Sequence, residues 1–128
     1  METGEIMNDL MIKQRFDGYL PVVIDVETSG VDAEKNALLE IAAVYVDYNN
    51  DGIVAPVESH FTVHVMPFDG AVMDADALKI TGIRPDNPFR SAIAQTEQDA
   101  LKGLFDYISK ALKALNCRRA LLVGHNAH

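Results

Sequence analysis

The chain has 128 residues, of which 48% are hydrophobic, and this is the composition of a folded domain rather than of a disordered segment. The formal net charge of −8 argues, by itself, against a polyanionic partner. No apolar run approaches the roughly 20 residues that cross a bilayer. Residues 1–9 lack the basic charge of a secretory signal, and the single Cys117 cannot form an internal disulfide. We therefore expect a cytoplasmic protein with no membrane partner.

The first half of the chain predicts a small sheet. Residues 1–12 show no regular pattern, and residues 13–19 could form a short helix or turn that ends near Gly18. Runs rich in β-branched and aromatic residues predict three strands, at about Val22–Val26, Ala37–Tyr48 and Ser59–Val65. The segment 49–52, Asn-Asn-Asp-Gly, is a strong reversal signal between the last two. We expect the three strands to form an antiparallel meander.

The second half predicts helices and one more strand. A short helix is expected at Ala75–Thr81, and Arg84–Pro88 is expected to be a loop because it holds two prolines. The clearest helix follows Thr96, its expected N-cap, and ends near Asn116. Its apolar stripe consists of Leu101, Leu104, Phe105, Ile108, Leu112 and Leu115. Ala120–Val123 reads as a buried strand, which a preceding helix usually brings in parallel. The fold class is α/β.

Two acids are set into the first predicted strand. Side chains two apart in a strand share a face, so Asp25 and Glu27 should point the same way with Cα atoms roughly 6.5 Å apart. A cation between two such carboxylates relieves their repulsion, and hard oxygen ligands suit Mg²⁺ or Mn²⁺. The alternative interpretation is that one acid is an edge-strand surface residue and the other a helix cap.

Other polar residues could also take part. Glu40 could be a third metal ligand, although an acid in such a strand more often supports the ligands than joins them. His64 is interpreted as an ordinary sheet residue. Five basic residues and one acid lie between positions 102 and 119, and they could bind phosphates or simply form a solvated helix face.

Four ordered motifs carry a family resemblance. They are Asp25-Val26-Glu27-Thr28, Leu38-Leu39-Glu40-Ile41-Ala42, Thr81-Gly82-Ile83 and Gly124-His125-Asn126-Ala127. Together they resemble the first half of a DEDD-type 3′–5′ exonuclease. The resemblance implies a ribonuclease H-like fold with the meander, helix and parallel strand described above. It also implies two divalent ions and the removal of nucleotides, one at a time, from a 3′ end.

The resemblance also implies roles for particular residues. Asp25 would bind both metals and Glu27 one of them, while Thr28 and the backbone of Ser29 and Gly30 would cradle the terminal nucleotide. Val31 and Ile80 stand where family members place phenylalanines that stack on terminal bases. Because aliphatic side chains lose most of that stacking, the family's base preference need not hold here. His125 and Asn126 match the beginning of a further substrate-binding motif.

The resemblance also implies a homodimer in which each subunit lends basic residues to the other's substrate. The matching residues are Arg15 and Arg119, together with Lys110 or Lys113. The chain contains two of the family's four metal-binding acids, and no residue matches the family's general-base histidine. We therefore expect residues 1–128 to be an incomplete exonuclease domain from a longer enzyme, inactive when isolated.

The leading hypothesis is the amino-terminal part of a metal-dependent exoribonuclease that trims RNA 3′ ends, such as those of tRNA. A proofreading-type DNA exonuclease is the alternative within the same class, because the motifs of this half are shared. From other classes, an inactive nuclease-fold fragment could serve as an interaction module, and a phosphotransfer enzyme could use Asp25 as nucleophile.

Overall fold

The computed structural model describes residues 11–124. Its helices are α1 (Ile12–Arg15), α2 (Ala75–Thr81), α3 (Pro88–Ile93) and α4 (Glu97–Ala114). Its strands are β1 (Tyr19–Thr28), β2 (Leu38–Tyr48), β3 (Val54–Pro56), β4 (Phe61–His64) and β5 (Arg119–Gly124). Among these residues no helix is both long and apolar enough to cross a membrane.

The strands form one mixed sheet with the order β3-β2-β1-β5, and β4 also pairs with β2. Strand β5 runs parallel to β1, in a register that extends from Tyr19 opposite Arg119 to Ile24 opposite Gly124. The three predicted strands are therefore neighbours in the order expected, and the predicted parallel strand is present. The α/β class is confirmed.

The predicted meander omitted one strand that the structure contains, β3. The reversal at residues 49–52 leads directly into β3, which pairs antiparallel with the end of β2. The Asn49 side chain closes this turn, since its Oδ1 accepts hydrogen bonds from the Asp51 and Ile53 N–H groups at 2.9 and 3.0 Å. Gly52 takes the left-handed conformation, with φ of 74°. A three-residue strand that ends in proline has too little alternation to be recognised in the sequence.

Two compact units can be distinguished within the described chain. The first comprises residues 11–24, 43–60 and 105–124. Its buried apolar residues are Ile12, Leu20, Val22, Ala43, Ile108 and Ala111. Ile12 begins α1 rather than ending an irregular segment. The turn after this helix passes through Asp17 and Gly18, both with positive φ, and Arg118 donates from Nη2 to the Asp17 carbonyl oxygen at 3.1 Å.

The prediction that Ala120–Val123 is buried was wrong. Leu121, Leu122 and Val123 are 50%, 57% and 42% exposed. Their strand, β5, stands at the end of the sheet and pairs with β1 alone among the described strands. Apolar composition identifies the strand, whereas burial depends on which elements cover it.

The second unit comprises residues 25–42 and 61–104. Its buried apolar residues are Ala37, Leu39, Ile41, Val63, Val65, Ala100 and Leu104. Arg90 is buried among them at 8% exposure, and its Nη2 donates to the carbonyl oxygens of Leu39 and Val65. This single side chain therefore satisfies backbone acceptors on β2 and immediately after β4.

Helix α3 occupies part of the region that was expected to be a loop. Pro88 is its first residue, where proline loses no helical hydrogen bond. Asn87 caps the helix, and its Oδ1 accepts from the N–H groups of Phe89 and Arg90 at 2.9 and 3.4 Å. The expected end of α2 is confirmed, because Gly82 closes it with φ of 73°.

Helix α4 begins after Thr96, as predicted, and the Thr96 Oγ1 accepts from the Asp99 N–H at 3.2 Å. Asn116 follows its end with φ of 55°. The predicted apolar stripe was partly wrong: Leu101 and Phe105 are 39% and 58% exposed, whereas small alanines join Leu104 and Ile108 in the buried stripe.

We expect Leu39→Ala to lower the free energy of unfolding by about 2–5 kcal/mol, because it leaves a cavity at a fully buried position. Urea denaturation followed by circular dichroism measures the change. Ile53→Ala, at a 61% exposed position, is the control and should change the free energy by about 0.5 kcal/mol or less. Equal losses in the two variants would contradict this account of the core.

Candidate metal centre

The two predicted metal ligands lie near the carboxyl end of β1. Asp25 and Glu27 are separated by one residue of the strand, so their side chains leave the same face of the sheet. Asp25 is exposed and Glu27 is half-buried. The register of the first unit pairs Gly124, the last residue of β5, with Ile24, which directly precedes Asp25 in the chain.

The electrostatics of the pair show that its charges interact. Burial raises the pKa of Glu27, and the negative charges of Asp25 and then Glu40 raise it further. A cation next to these groups would oppose all three causes, because it favours the ionised carboxylate. The donor chemistry therefore fits a hard divalent cation. Within residues 11–124 no three acidic, histidine or cysteine side chains are grouped as a complete metal site.

Glu40 interacts with the basic residues His64 and Arg90 as well as with Glu27. Its Oε2 is 3.9 Å from His64 Nδ1, and both side chains are about one-third exposed. Burial lowers the pKa of Arg90, and the Glu40 carboxylate raises it in part. This setting favours a supporting acid over a third metal ligand. His64, interpreted from the sequence as an ordinary sheet residue, is thus brought close to the acids, and nothing in its spacing indicated that contact.

The loop that follows β1 is held by buried hydrogen bonds. Ser29 is fully buried, and its Oγ donates to the Val72 carbonyl and accepts from the Ala37 N–H, each at 2.7 Å. The Thr28 Oγ1 donates to the Gly30 carbonyl at 2.7 Å. The Ser29 side chain is therefore engaged in holding the loop, and the substrate contact expected at this position is one made by the backbone.

Asn36 completes this support and was not singled out in the sequence. Its Nδ2 donates to the Val72 carbonyl at 2.9 Å, and its Oδ1 accepts from the Asp32 N–H at 2.8 Å. A Cβ on Gly30 would lie 2.4 Å from the Asn36 side chain and 2.2 Å from Asp74 Oδ2, so only glycine fits without a rearrangement. One asparagine in a polar loop gives no sequence signal of this kind.

The remaining predicted site residues that the structure describes are exposed. In the second unit, Val31 and Ile80 are 98% and 86% exposed, as side chains that contact a ligand must be. In the first unit, the exposed basic residues are Arg15 on α1, Lys110 and Lys113 on α4, and Arg119 at the beginning of β5. The predicted substrate residues His125 and Asn126 lie outside the described residues.

Comparison with known families defines the class of protein. A family model described as an exonuclease matches residues 22–128, which is most of the chain. The chain therefore belongs to this exonuclease family. The resemblance inferred from the four motifs is confirmed.

Among curated proteins the chain is similar to ribonuclease T. It is 52% identical to the ribonuclease T of Yersinia enterocolitica over 115 residues, which are 89% of this chain and 52% of that protein. Identity is 44% over 127 residues with the enzyme of Mannheimia haemolytica, covering 98% of this chain and 57% of that protein. The chain spans about half the length of these relatives, and the portion it resembles is the amino-terminal one.

Solved structures support the fold. Exonuclease I from Methylocaldum szegediense matches with a TM-score of 0.56 at 19% identity, over 84% of this chain and 20% of that one. Exonuclease I of E. coli, solved with a dT13 oligonucleotide, matches with a TM-score of 0.54 at 18% identity. This match covers 84% of this chain and 20% of that one. The predicted ribonuclease H-like fold class is confirmed.

The raised pKa of Glu27 predicts a pH dependence. Because the folded state binds this proton more tightly than the unfolded state, Glu27 stabilises the fold below its ordinary pKa and loses that contribution as the pH rises through the raised value. Glu27→Gln should therefore be increasingly stabilising, relative to the wild type, from acid to neutral pH. Urea denaturation in EDTA at a series of pH values tests this.

Glu58→Gln, at an exposed glutamate of the first unit, is the matched control for this pH series. The advantage of Glu27→Gln should grow with pH by more than that of the control. An advantage that shrinks with rising pH would contradict the assignment of like-charge repulsion at Glu27.

Proposed function

We propose that the intact protein is a metal-dependent 3′–5′ exoribonuclease that hydrolyses phosphodiester bonds and trims RNA 3′ ends, including those of tRNA. The observation that carries this proposal is the pair of carboxylates on one face of β1, whose mutual repulsion a divalent cation would relieve. Membership of the exonuclease family and similarity to ribonuclease T support it.

The residues present fit divalent metal ions. Asp25 and Glu27 would hold Mg²⁺ or Mn²⁺, with two ions expected in the intact enzyme. Ions held there would supply activation of a water molecule and compensation of the negative charge that develops during phosphodiester hydrolysis. Glu40, which faces His64 and Arg90, would keep the local charge balanced rather than bind metal.

The loop after β1 would position the terminal nucleotide. Thr28 lies at the end of β1, and the buried Ser29 with Gly30 fixes the backbone on which Thr28 and Val31 are carried. Val31 and Ile80 would contact the terminal bases by van der Waals packing. Since they offer no aromatic face, we expect a weaker base preference than stacking phenylalanines would give.

A basic surface would bind the rest of the RNA. Arg15, Lys110, Lys113 and Arg119 are exposed on the first unit. We propose that they contact phosphates of the substrate held by the other subunit of a homodimer in the cytoplasm, and that His125 and Asn126, which lie outside the described residues, also bind the substrate. A local basic surface of this kind can bind phosphates even though the net charge is −8.

Hydrolysis of single-stranded DNA is the second candidate. It is favoured by the fold match to an exonuclease I solved with a dT13 oligonucleotide. Assays of the intact protein on matched RNA and DNA with labelled 3′ ends separate the two candidates. Faster release of 3′ nucleotides from RNA supports the first proposal, and faster release from DNA supports the second.

Calorimetric titration with Mn²⁺ tests the metal centre in the chain itself. We expect the wild type to bind Mn²⁺ and Asp25→Ala to bind at least about tenfold more weakly, because it loses a direct ligand. Asp106→Ala, which removes an exposed acid from α4, is the control and should bind as the wild type does. Absence of binding by the wild type, or equal binding by Asp25→Ala, would remove the basis of the proposal.

A further inference from the structure

The second unit contains a cleft whose lining includes neither of the two acids of β1. Its volume is about 370 Å³, which is enough for a nucleobase together with part of its sugar. Side chains from the end of β4, the segment after α2, and α3 line it. The lining residues include His64, Ile83, Arg84, Phe89, Arg90 and Ile93.

The outer part of the cleft is apolar and open to solvent. Phe89 and Ile93, both on α3, are 85% and 64% exposed. A phenylalanine ring that is this exposed contributes little to the core, since little of its surface is removed from water. Its face remains available to a flat aromatic partner such as a nucleobase.

The charge of the cleft is opposite to that of the chain. Among the described residues that line it, the ionisable ones are His64, Arg84 and Arg90, all of them basic. Arg90 is more than nine-tenths buried, and its Nε lacks a hydrogen-bond partner among the described residues. In a chain with a net charge of −8, this local excess of cationic groups favours an anionic ligand.

A second depression adjoins the cleft. A neighbouring depression of about 360 Å³ shares His64 and Ile93 with it and is lined by Glu40 as well. The Glu40 charge in turn acts on Glu27. A single strand whose 3′ end reached the acids of β1 could therefore extend along this surface.

We propose that the cleft is a nucleobase subsite for single-stranded nucleic acid, in which a base stacks on Phe89 and the adjoining phosphate faces Arg84. The proposal rests on the proposed function, since it assigns a further part of the same substrate. An aromatic face next to cationic groups is the combination that binds single strands with little sequence preference.

The absence of tryptophan from the chain provides a local probe. In Phe89→Trp the single indole reports on the cleft, and in Phe105→Trp it reports on an exposed position of α4 outside it. A short oligoadenylate is titrated into each variant in EDTA, so that no metal-dependent cleavage occurs. We expect quenching of the fluorescence in Phe89→Trp and little change in Phe105→Trp.

Fluorescence anisotropy with a labelled oligoadenylate gives the affinities. Loss of one base–aromatic stack should weaken binding by Phe89→Ala about 5- to 150-fold, while Phe105→Ala should bind as the wild type does. An oligonucleotide with abasic sites should bind the wild type more weakly and show little difference between the wild type and Phe89→Ala. Unchanged affinity of Phe89→Ala, or equal quenching in both tryptophan variants, would overturn the proposal.

The outcomes distinguish this proposal from the proposed function. If oligoadenylate binding in EDTA depends on Phe89 but the chain does not bind Mn²⁺, the subsite is supported and the proposed exonuclease function is rejected. If the chain binds Mn²⁺ but oligoadenylate binding does not depend on Phe89, only the subsite is rejected. The alternative to a nucleobase in the cleft is a protein partner. If Phe89→Trp fluorescence changes with protein concentration in the absence of oligonucleotide, the cleft binds a second copy of the chain and the nucleobase subsite is wrong.

Discussion

The central constraint on this molecule is the repulsion between two carboxylates that one strand carries on one face. Asp25 and Glu27 leave the same face of the sheet in any register, because alternate strand residues share a face. The fold leaves Asp25 in solvent and places Arg90 near enough to Glu40 for their charges to interact. Burial first, and then the charges of Asp25 and Glu40, raise the pKa of Glu27. A cation at this position would oppose all three causes.

The loop beside the acids meets a different requirement, which is precision. Hydrogen bonds from Ser29 and Asn36 tie residues 28–37 to the backbone at Val72, and Gly30 leaves no space for movement or a larger side chain. Buried polar networks hold one geometry because an alternative arrangement would leave donors or acceptors unsatisfied. The same segment therefore joins a rigid buried side to an exposed side that carries Val31.

Local chemistry determined which features could be predicted from the sequence. The acid pair, the reversal at residues 49–52, the Gly82 end of α2 and the Thr96 cap each depend on a few neighbouring residues, and all of them are present in the structure. The exposure of β5 and of Phe105 could not be predicted, because burial depends on elements distant in sequence. Helix α3 was missed although Asn87 and Pro88 form a recognisable start. The contacts of Asn36 and His64 arise only from the tertiary fold.

Gly30 and Val31 are adjacent, yet their freedom to vary is opposite. At position 30 a larger side chain would require Asn36 and Asp74 to rearrange, whereas the side chain at position 31 is 98% exposed among the described residues. The shape presented to solvent at position 31 can thus drift over generations without a penalty in folding. Two homologous proteins with the same backbone could therefore differ in the ligand contact that position 31 makes. A library of substitutions at this one codon would sample those differences without a change of fold.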